Sequence, residues 1–190
     1  LFANSPVGFV GCFIVGLSNG AFWALSPMFA HGSDMDVRGI ALFMSAVVIG
    51  GAVGQWQLGW LSDRMDRRRV IVGCCLGAAT LAGALTQAPF AAPWMMLALA
   101  VAWGAFAFSL YAISVAHSND FAQAGSYVEV SSGLLLLYGV GAVIGPLVVA
   151  PLLARIGPSS LFASTLVMHL LLAAFTVWRI CQRAPAPQAQ

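Results

Sequence analysis

Six long apolar runs, separated by short polar connectors, dominate the pattern along the chain. A helix needs roughly 20 mostly apolar residues to cross a bilayer, and these runs are close to or above that length. Backbone polar groups in lipid must pair within their own segment, so the pattern predicts an all-α integral membrane protein. The predicted spans are 6–30, 39–61, 70–87, 93–116, 127–154 and 159–181, and a cytoplasmic tail follows over 182–190.

The composition also favours a protein surrounded by lipid. Of the 190 residues, 61% are hydrophobic and only 7% are charged, and the mean hydropathy is +0.91. Soluble domains carry about 25% charged residues, so this chain has too few charges to cover a surface that faces water. We therefore expect the lipid bilayer around it. The net charge of +2 is too small to indicate a nucleic-acid partner.

The arginines predict an orientation, because basic residues accumulate in cytoplasmic connectors. Odd-numbered spans end near only Arg38 and Arg155. The ends of even-numbered spans carry the other six arginines: Arg64, Arg67, Arg68, Arg69, Arg179 and Arg183. Both termini are therefore predicted to be cytoplasmic.

The connector between the second and third spans has the most informative sequence. It reads Gly59-Trp-Leu-Ser-Asp63-Arg64-Met-Asp-Arg67-Arg68-Arg69. This segment resembles the signature loop of the major facilitator superfamily, G-x-L-a-D-r-x-x-r-r, which joins the second and third helices of each six-helix half. Its position and predicted cytoplasmic side agree with that family. Asp66 is a departure, since the family usually has glycine there.

The resemblance implies that the six spans form one half of a 12-helix major facilitator fold. Such proteins are secondary transporters, symporters or antiporters, that move small organic solutes by alternating access, in some cases with protons. No arginine lies in the fourth span and the chain ends in APAPQAQ, so we expect the C-terminal half, with the N-terminal six-helix half as its partner. The chain begins at Leu1, so we expect a piece of a longer protein. From the resemblance we expect its location to be a bacterial inner membrane.

The resemblance also implies a conformational switch that holds the two halves together on the cytoplasmic side. Its residues would be Gly59, Asp63, Arg64, Arg67 and Arg68. In the family the aspartate lies near the start of the fifth helix, where a carboxylate is stabilised. Glu129 lies in that first turn and could pair with Arg64 or Arg67. The plainer alternative is that the basic connector only anchors the topology.

Glycine patterns predict close helix packing. Gly141-x-x-x-Gly145-Pro146 resembles the G-x-x-x-G-P element of antiporter-like family members, whose bend would seal or open the cavity; a simple packing kink is the alternative. Similar spacing occurs at Gly16/Gly20, Gly50/Gly54 and Gly73/Gly77, which indicates a tightly packed bundle.

Polar and aromatic residues inside the spans are candidates for the substrate cavity. They are Asn19, Trp23, Ser45, Gln55, Trp103 and Tyr111. Polar residues, glycines and Pro27 in the first span predict an interrupted helix facing that cavity. For Asn19, a hydrogen bond between helices is the alternative. No acidic residue lies deep in a span, which favours a neutral or cationic amphipathic substrate.

Proton coupling would need a titratable group in the membrane. His117 and His169 are the candidates for a proton-linked role, with loop capping and neutral packing as the respective alternatives. The main carboxylate is then expected in the missing half.

Other functional classes fit less well. Ser114 and His117 share a helix face, but no nucleophile elbow accompanies them, so we do not expect an enzyme. The cysteines (Cys12, Cys74, Cys75 and Cys181) lack metal-ligand spacing and are interpreted as packing residues, so no metal or cofactor is expected. A non-transporting scaffold or sensor on a transporter fold, and a half-size carrier that works as a dimer, stay open.

Overall fold

The structure, a computed structural model, describes residue 2 and residues 5–33, 35–87, 92–123 and 125–182. Those residues form six α-helices. The helices are α1 (Pro6–His31), α2 (Val37–Arg64), α3 (Arg67–Leu85), α4 (Pro93–Asn119), α5 (Tyr127–Ile156) and α6 (Ser160–Gln182). All six are long and apolar enough to cross a membrane. The prediction of an all-α fold with six such helices is confirmed.

Several helices extend beyond the apolar runs that predicted them. The run 39–61 ends three residues before α2 does, and α3 begins at Arg67 rather than at Val70. Hydropathy detects the part of a helix that suits lipid, whereas backbone hydrogen bonding continues into charged residues. Only Met65 and Asp66 therefore separate α2 from α3. Of the expected tail 182–190, only Gln182 is described, and it ends α6.

The expected interruption of the first helix is wrong. α1 is continuous from Pro6 to His31, although it contains Gly16, Gly20 and Pro27. The two glycines lie against α5, where close packing uses their lack of a side chain. Pro27 lies only four residues before the helix ends, so it affects little more than the last turn.

The bundle is built from pairs of helices. α1 packs along α5, and α2 packs along α4. α3 lies against α6 and α4, and α1 also contacts α4 and α6. In the most apolar 18-residue stretch of α1, 56% of the residues are buried in the bundle, whereas the corresponding shares for α2 and α5 are 33% and 22%. α2 and α5 thus leave the largest apolar surfaces outside this bundle.

Glycines bring the paired helices into backbone contact. On Gly16 or Gly20 a Cβ atom would overlap the backbone of α5 at Tyr138 or Ala142, and on Gly145 it would overlap Leu17 of α1. We call these contacts, with that of Gly141, the α1–α5 seam. The equivalent α2–α4 seam is formed by Gly50, Gly54 and Gly104.

An aromatic cluster fills the space between α1, α2, α4 and α6. Phe22, Phe29, Phe43, Trp103 and Phe162 are all fully buried, and their rings come from α1, α2, α4 and α6. The Phe29 and Phe162 ring centroids are 4.8 Å apart in an edge-to-face arrangement. This packing fixes four helices around one centre.

A second apolar cluster lies toward the end where α1 and α3 begin. It contains Val7, Val70, Ile71 and the thiols of Cys74 and Cys75. Cys12 is also buried, while Cys181 is exposed. The three buried thiols lie in apolar surroundings, which suits a packing role.

Candidate functional site

Arg67 ties three helices together at one end of the bundle. Its Nη1 lies 2.8 Å from Oδ1 of Asp63 at the end of α2. Its Nε lies 2.8 Å from Oδ2 of Asp120, which caps the end of α4. Nη1 also donates to the Ser62 hydroxyl at 3.0 Å. Sequence reasoning missed the role of Asp120, because 53 residues separate it from Arg67.

These pairs are only partly shielded from water. The Asp63 side chain is 66% exposed, and the Asp120 side chain is 33% exposed. Partial burial raises the pKa of the Asp120 carboxyl above its ordinary value, although the Arg67 guanidinium opposes this. Ion pairs in such surroundings contribute about 0–1 kcal/mol each. The arrangement can therefore open without a large loss of stability.

Asp66 has a local role that its departure from the family pattern did not indicate. Its Oδ1 accepts a hydrogen bond from the Arg68 backbone N–H at 3.0 Å and so caps the start of α3. Its Oδ2 lies 2.8 Å from Nη2 of the buried Arg68 side chain. Burial raises the pKa of Asp66, but the Arg68 hydrogen bonds outweigh this and hold that pKa below its ordinary value. An aspartate directly before a helix is a recognisable N-cap signal.

We call Arg67 with its partners Asp63, Asp120 and Ser62 the Arg67 network. Three other residues of the expected switch lie near the Arg67 network or near α5. The Arg64 guanidinium lies 3.5 Å from the centroid of the Trp60 ring. Gly59 accepts a hydrogen bond from Ser62 at its carbonyl oxygen. Glu129 is exposed in the first turn of α5. Among the described residues, Glu129 forms an ion pair with neither Arg64 nor Arg67 in this conformation, and the Arg67 guanidinium contacts Asp63 and Asp120 instead. Its part in a switch stays a prediction.

Four aromatic residues form a patch on the side of the bundle where α1, α4 and α5 meet. The rings of Trp23 and Phe108 stack with centroids 5.5 Å apart. Those of Tyr111 and Tyr138 lie 4.8 Å apart. Trp23 is 45% exposed, and both tyrosines are partly exposed. We call these four residues the aromatic patch.

Two amide side chains connect the aromatic patch to neighbouring helices. Nε2 of Gln55 on α2 donates to the Phe108 carbonyl oxygen at 3.4 Å. Nδ2 of Asn19 donates to the Tyr138 hydroxyl at 3.4 Å, which is the hydrogen bond between helices that was the alternative to a cavity role. Oδ1 of Asn19 is buried and has no partner among the described residues. Asn19 and Tyr138 lie near the middle of α1 and α5, far from either membrane surface.

The structure thus brings four of the six cavity candidates together (Asn19, Trp23, Gln55 and Tyr111). Sequence reasoning missed the other two members, Phe108 and Tyr138. Phe108 could have been found from its i, i+3 spacing to Tyr111 on one helix face. Tyr138 could have been found as a hydroxyl in an otherwise apolar span.

The remaining two cavity candidates lie elsewhere. Trp103 is fully buried, with its ring 4.9 Å from Phe22 and 5.3 Å from Phe162 by centroids. A solute cannot reach it, so its assignment to the cavity is wrong. It is large enough to fill the core where four helices meet. Ser45 is exposed on α2, but it lies ten residues before Gln55, which is about 15 Å along a helix axis.

The glycine-proline element of α5 serves packing in this conformation. Gly141 and Gly145 face the α1 backbone at Phe13 and Leu17. α5 continues as one helix through Pro146 and Pro151. A bend that opens or seals a cavity at Pro146 stays a prediction.

The two histidine candidates differ in their surroundings. His169 is 1% exposed. Its Nδ1 donates to the Thr165 carbonyl oxygen at 2.6 Å, and its Nε2 has no partner among the described residues. His117 is buried at the end of α4, with its ring 5.2 Å from that of Phe121. A role in proton transfer stays a prediction for both.

Comparisons with known proteins agree with this architecture. The family described as Major Facilitator Superfamily matches residues 8–190. The chain is 30% identical over 176 residues, 89% of its length, to an uncharacterized MFS-type transporter of Enterobacter sp. (strain 638). It is 30% identical over 163 residues, 84% of its length, to the uncharacterized MFS-type transporter YcaD of Salmonella paratyphi B. The matches cover 44% and 40% of those relatives, so the chain spans less than half their length.

The family match over nearly all described residues and the six apolar helices support one assignment. The chain is an integral membrane protein that belongs to the major facilitator superfamily, a family of transporters and not of enzymes, and its helices correspond to one half of that fold.

Proposed function

We propose that the chain is the C-terminal half of a secondary transporter that moves a small organic solute by alternating access. The observation that carries this proposal is the aromatic patch, which lies at mid-helix depth on helices of a transporter half. The similar transporters are about twice as long as this chain, which fits two such halves around one site. The N-terminal six-helix half is then the partner.

The aromatic patch favours a neutral or cationic amphipathic solute. Every charged side chain that the structure describes lies in a connector or in the first or last turns of a helix. The exposed faces of Trp23 and the two tyrosines would contact the solute. None of the charged side chains that the structure describes lies beside these faces. Aromatic faces attract organic cations and also bind planar apolar groups.

The Arg67 network is proposed as the part that releases during the transport cycle. Its pairs with Asp63 and Asp120 are weak enough to break and strong enough to bias two states of similar energy. The carboxylate of Asp63 then becomes available to a new partner, such as the start of α5.

The proposed location is a bacterial inner membrane with both termini cytoplasmic. The arginine distribution supports this orientation. Proton coupling is a further part of the proposal. It would use His117 or His169 in this half, or a carboxylate in the other half.

The test is flux through the full-length transporter in proteoliposomes. A panel of neutral and cationic organic compounds is screened with and without a pH gradient. The orientation is checked separately in intact cells, where labelling of the exposed Cys181 by an impermeant thiol reagent would contradict a cytoplasmic C-terminus. We expect Trp23→Ala to lower uptake roughly threefold to thirtyfold, as the loss of a cation–π contact would. Trp94→Ala is the matched control, because Trp94 is 72% exposed at the start of α4 and outside the aromatic patch.

The outcomes separate the parts of this proposal. Equal uptake by both variants would remove the aromatic patch from the binding site. Flux that ignores the pH gradient would remove proton coupling. If no compound crosses the membrane, a scaffold or sensor on this fold becomes the better explanation.

A further inference from the structure

A small polar cleft lies at the end of the bundle where α1 and α3 begin and α4 and α6 end. Its polar lining consists of Ser5, Arg68, His117 and Arg179. Its volume is about 20 Å³, which is enough for one water molecule or one oxygen atom of a larger group. It is separate from the Arg67 network and from the aromatic patch.

Ser5 provides the first sign that something occupies the cleft. The residue is 4% exposed, and its buried hydroxyl has no hydrogen-bond partner among the residues that the structure describes. Ser5 is the N-cap of α1, yet its side chain does not cap that helix. Burial removes the hydrogen bonds that a hydroxyl makes to water, which costs free energy unless a new partner replaces them. A buried hydroxyl with no partner is therefore rare in native proteins. A group that accepts or donates a hydrogen bond in the cleft would satisfy it.

The start of α1 favours an anion in that position. The first backbone N–H groups of a helix have no partner within it, and they carry the positive end of the helix dipole. Pro6 and Val7 form the adjoining wall of the cleft. Anionic oxygens are commonly bound at helix starts for this reason.

The charges around the cleft are positive on balance. Arg68 is compensated by Asp66, whose Oδ2 lies 2.8 Å away. Arg179 contacts neutral groups: Nη1 is 3.3 Å from Oε1 of Gln182, and the guanidinium lies 5.7 Å from the Trp178 ring centroid. No acidic side chain among the described residues forms an ion pair with Arg179, so its charge remains for an anion at the mouth of the cleft.

We propose that this cleft binds a phosphate group by one oxygen. That oxygen would accept a hydrogen bond from the Ser5 hydroxyl, and the rest of the phosphate would stay at the mouth beside Arg179. Guanidinium groups bind phosphate oxygens with strong charge-assisted hydrogen bonds. The phosphate comes either from an anionic lipid headgroup or from a free phosphate in solution. This proposal does not depend on transport by the protein.

The experiment uses the purified full-length protein and two probes. In one arm, native mass spectrometry measures how much phosphatidylglycerol or phosphatidylcholine stays bound. In the other, the melting temperature is measured with millimolar inorganic phosphate or with chloride at equal ionic strength. Retention of phosphatidylglycerol alone identifies the lipid as the source, and stabilisation by inorganic phosphate identifies the free anion.

The variants decide whether the cleft is the site. We expect Arg179→Gln to weaken binding of the effective probe at least about tenfold, as loss of a charged hydrogen bond would. Arg179→Lys should restore part of it, and Ser5→Ala should weaken it without removing a charge. Arg155→Gln is the matched control, since Arg155 also lies in the last turn of a helix but at the other end of the bundle.

The proposal is overturned if neither probe binds, or if Arg179→Gln and Arg155→Gln reduce binding equally. Ser5→Ala keeps the test decisive if Arg179→Gln does not fold. A transporter that lacks the site would still show solute flux, so failure here is distinguishable from failure of the proposed function.

Discussion

The glycine seams and the Arg67 network are two ways of joining helices, and they differ in how much movement they permit. In the seams, backbone lies against backbone, as where Gly145 meets Leu17. In the Arg67 network, flexible side chains meet at a partly hydrated helix end. Packed backbone has no room for a side chain, whereas an ion pair at a wet surface exchanges its partners at low cost.

This difference assigns rigidity and change to different parts of one bundle. The seams make α1 with α5, and α2 with α4, behave as fixed pairs. The Arg67 network connects the ends of α2, α3 and α4, where a small movement can be made and reversed. Substitutions in the seams should therefore reduce folding, and substitutions in the Arg67 network should reduce function. The three variants below are ordered by their expected cost to stability.

Gly145→Ala should have the largest effect on stability. The added Cβ would overlap the Leu17 backbone, so α1 and α5 must separate. Overpacking typically costs about 1–3 kcal/mol, and an overlap with backbone, which cannot move aside as a flexible side chain can, puts this variant at or above about 3 kcal/mol. Thermal unfolding of the purified full-length protein, monitored by size-exclusion chromatography, should show a lower melting temperature and less folded protein.

Gly139→Ala is the matched control on the same helix. A Cβ at Gly139 would meet nothing within 4 Å. Alanine favours a helix over glycine by roughly 0.5–1 kcal/mol, so this variant should be as stable as the parent or slightly more stable. Equal losses in the two variants would mean that the α1–α5 seam is not rigid.

The sequence predicted the seams better than it predicted the residues that meet at the patch. Glycines four residues apart share a helix face, so Gly16/Gly20, Gly50/Gly54 and Gly141/Gly145 could be proposed as packing positions. The same spacing at Gly73/Gly77 was less informative, because a Cβ on Gly73 would lie in open space. The spacing identifies a helix face lined by small residues, but it does not identify the helix that packs against this face.

Trp23 and Trp103 show why the site was only partly predictable. Both are tryptophans inside apolar spans, yet one is 45% exposed and the other is fully buried. A helix that is apolar on all sides gives no sequence signal for which side faces the core. The partner of Arg67 was hidden for a related reason. Asp120 reaches it only after α3 and α4 have packed together.

Asp66→Asn should have an intermediate effect and a characteristic pH dependence. Asparagine can still cap α3, but it cannot compensate the buried Arg68 charge, and such a loss costs about 1–3 kcal/mol. The lowered pKa of Asp66 means that its contribution is present above the ordinary value of 3.8 and is lost as the pH falls through the lowered pKa. The gap in melting temperature between parent and variant should therefore narrow only below pH 3.8.

Asp36→Asn is the control for that measurement. Asp36 caps α2 by accepting from the Gly39 N–H at 2.7 Å, so asparagine should preserve the cap. Its melting temperature should stay near that of the parent from neutral pH downward. A gap for Asp66→Asn that does not change in acid would contradict a charge-based role.

Of the three variants, Arg67→Gln should lower stability least, and its main effect should be on transport. Its ion pairs contribute about 0–1 kcal/mol each, so the melting temperature should change little. A change of about 1 kcal/mol shifts an equilibrium between two conformations of similar free energy by about fivefold. Transport should therefore fall by up to about that factor. Asp63→Asn should also reduce transport, without reducing expression.

Arg69→Gln is the control, at an exposed position two residues from Arg67, and it should leave the melting temperature and transport unchanged. If Arg67→Gln instead unfolds the protein while transport per folded molecule is normal, the Arg67 network is a structural fastening like the seams, and the proposed division between rigid and switching regions fails.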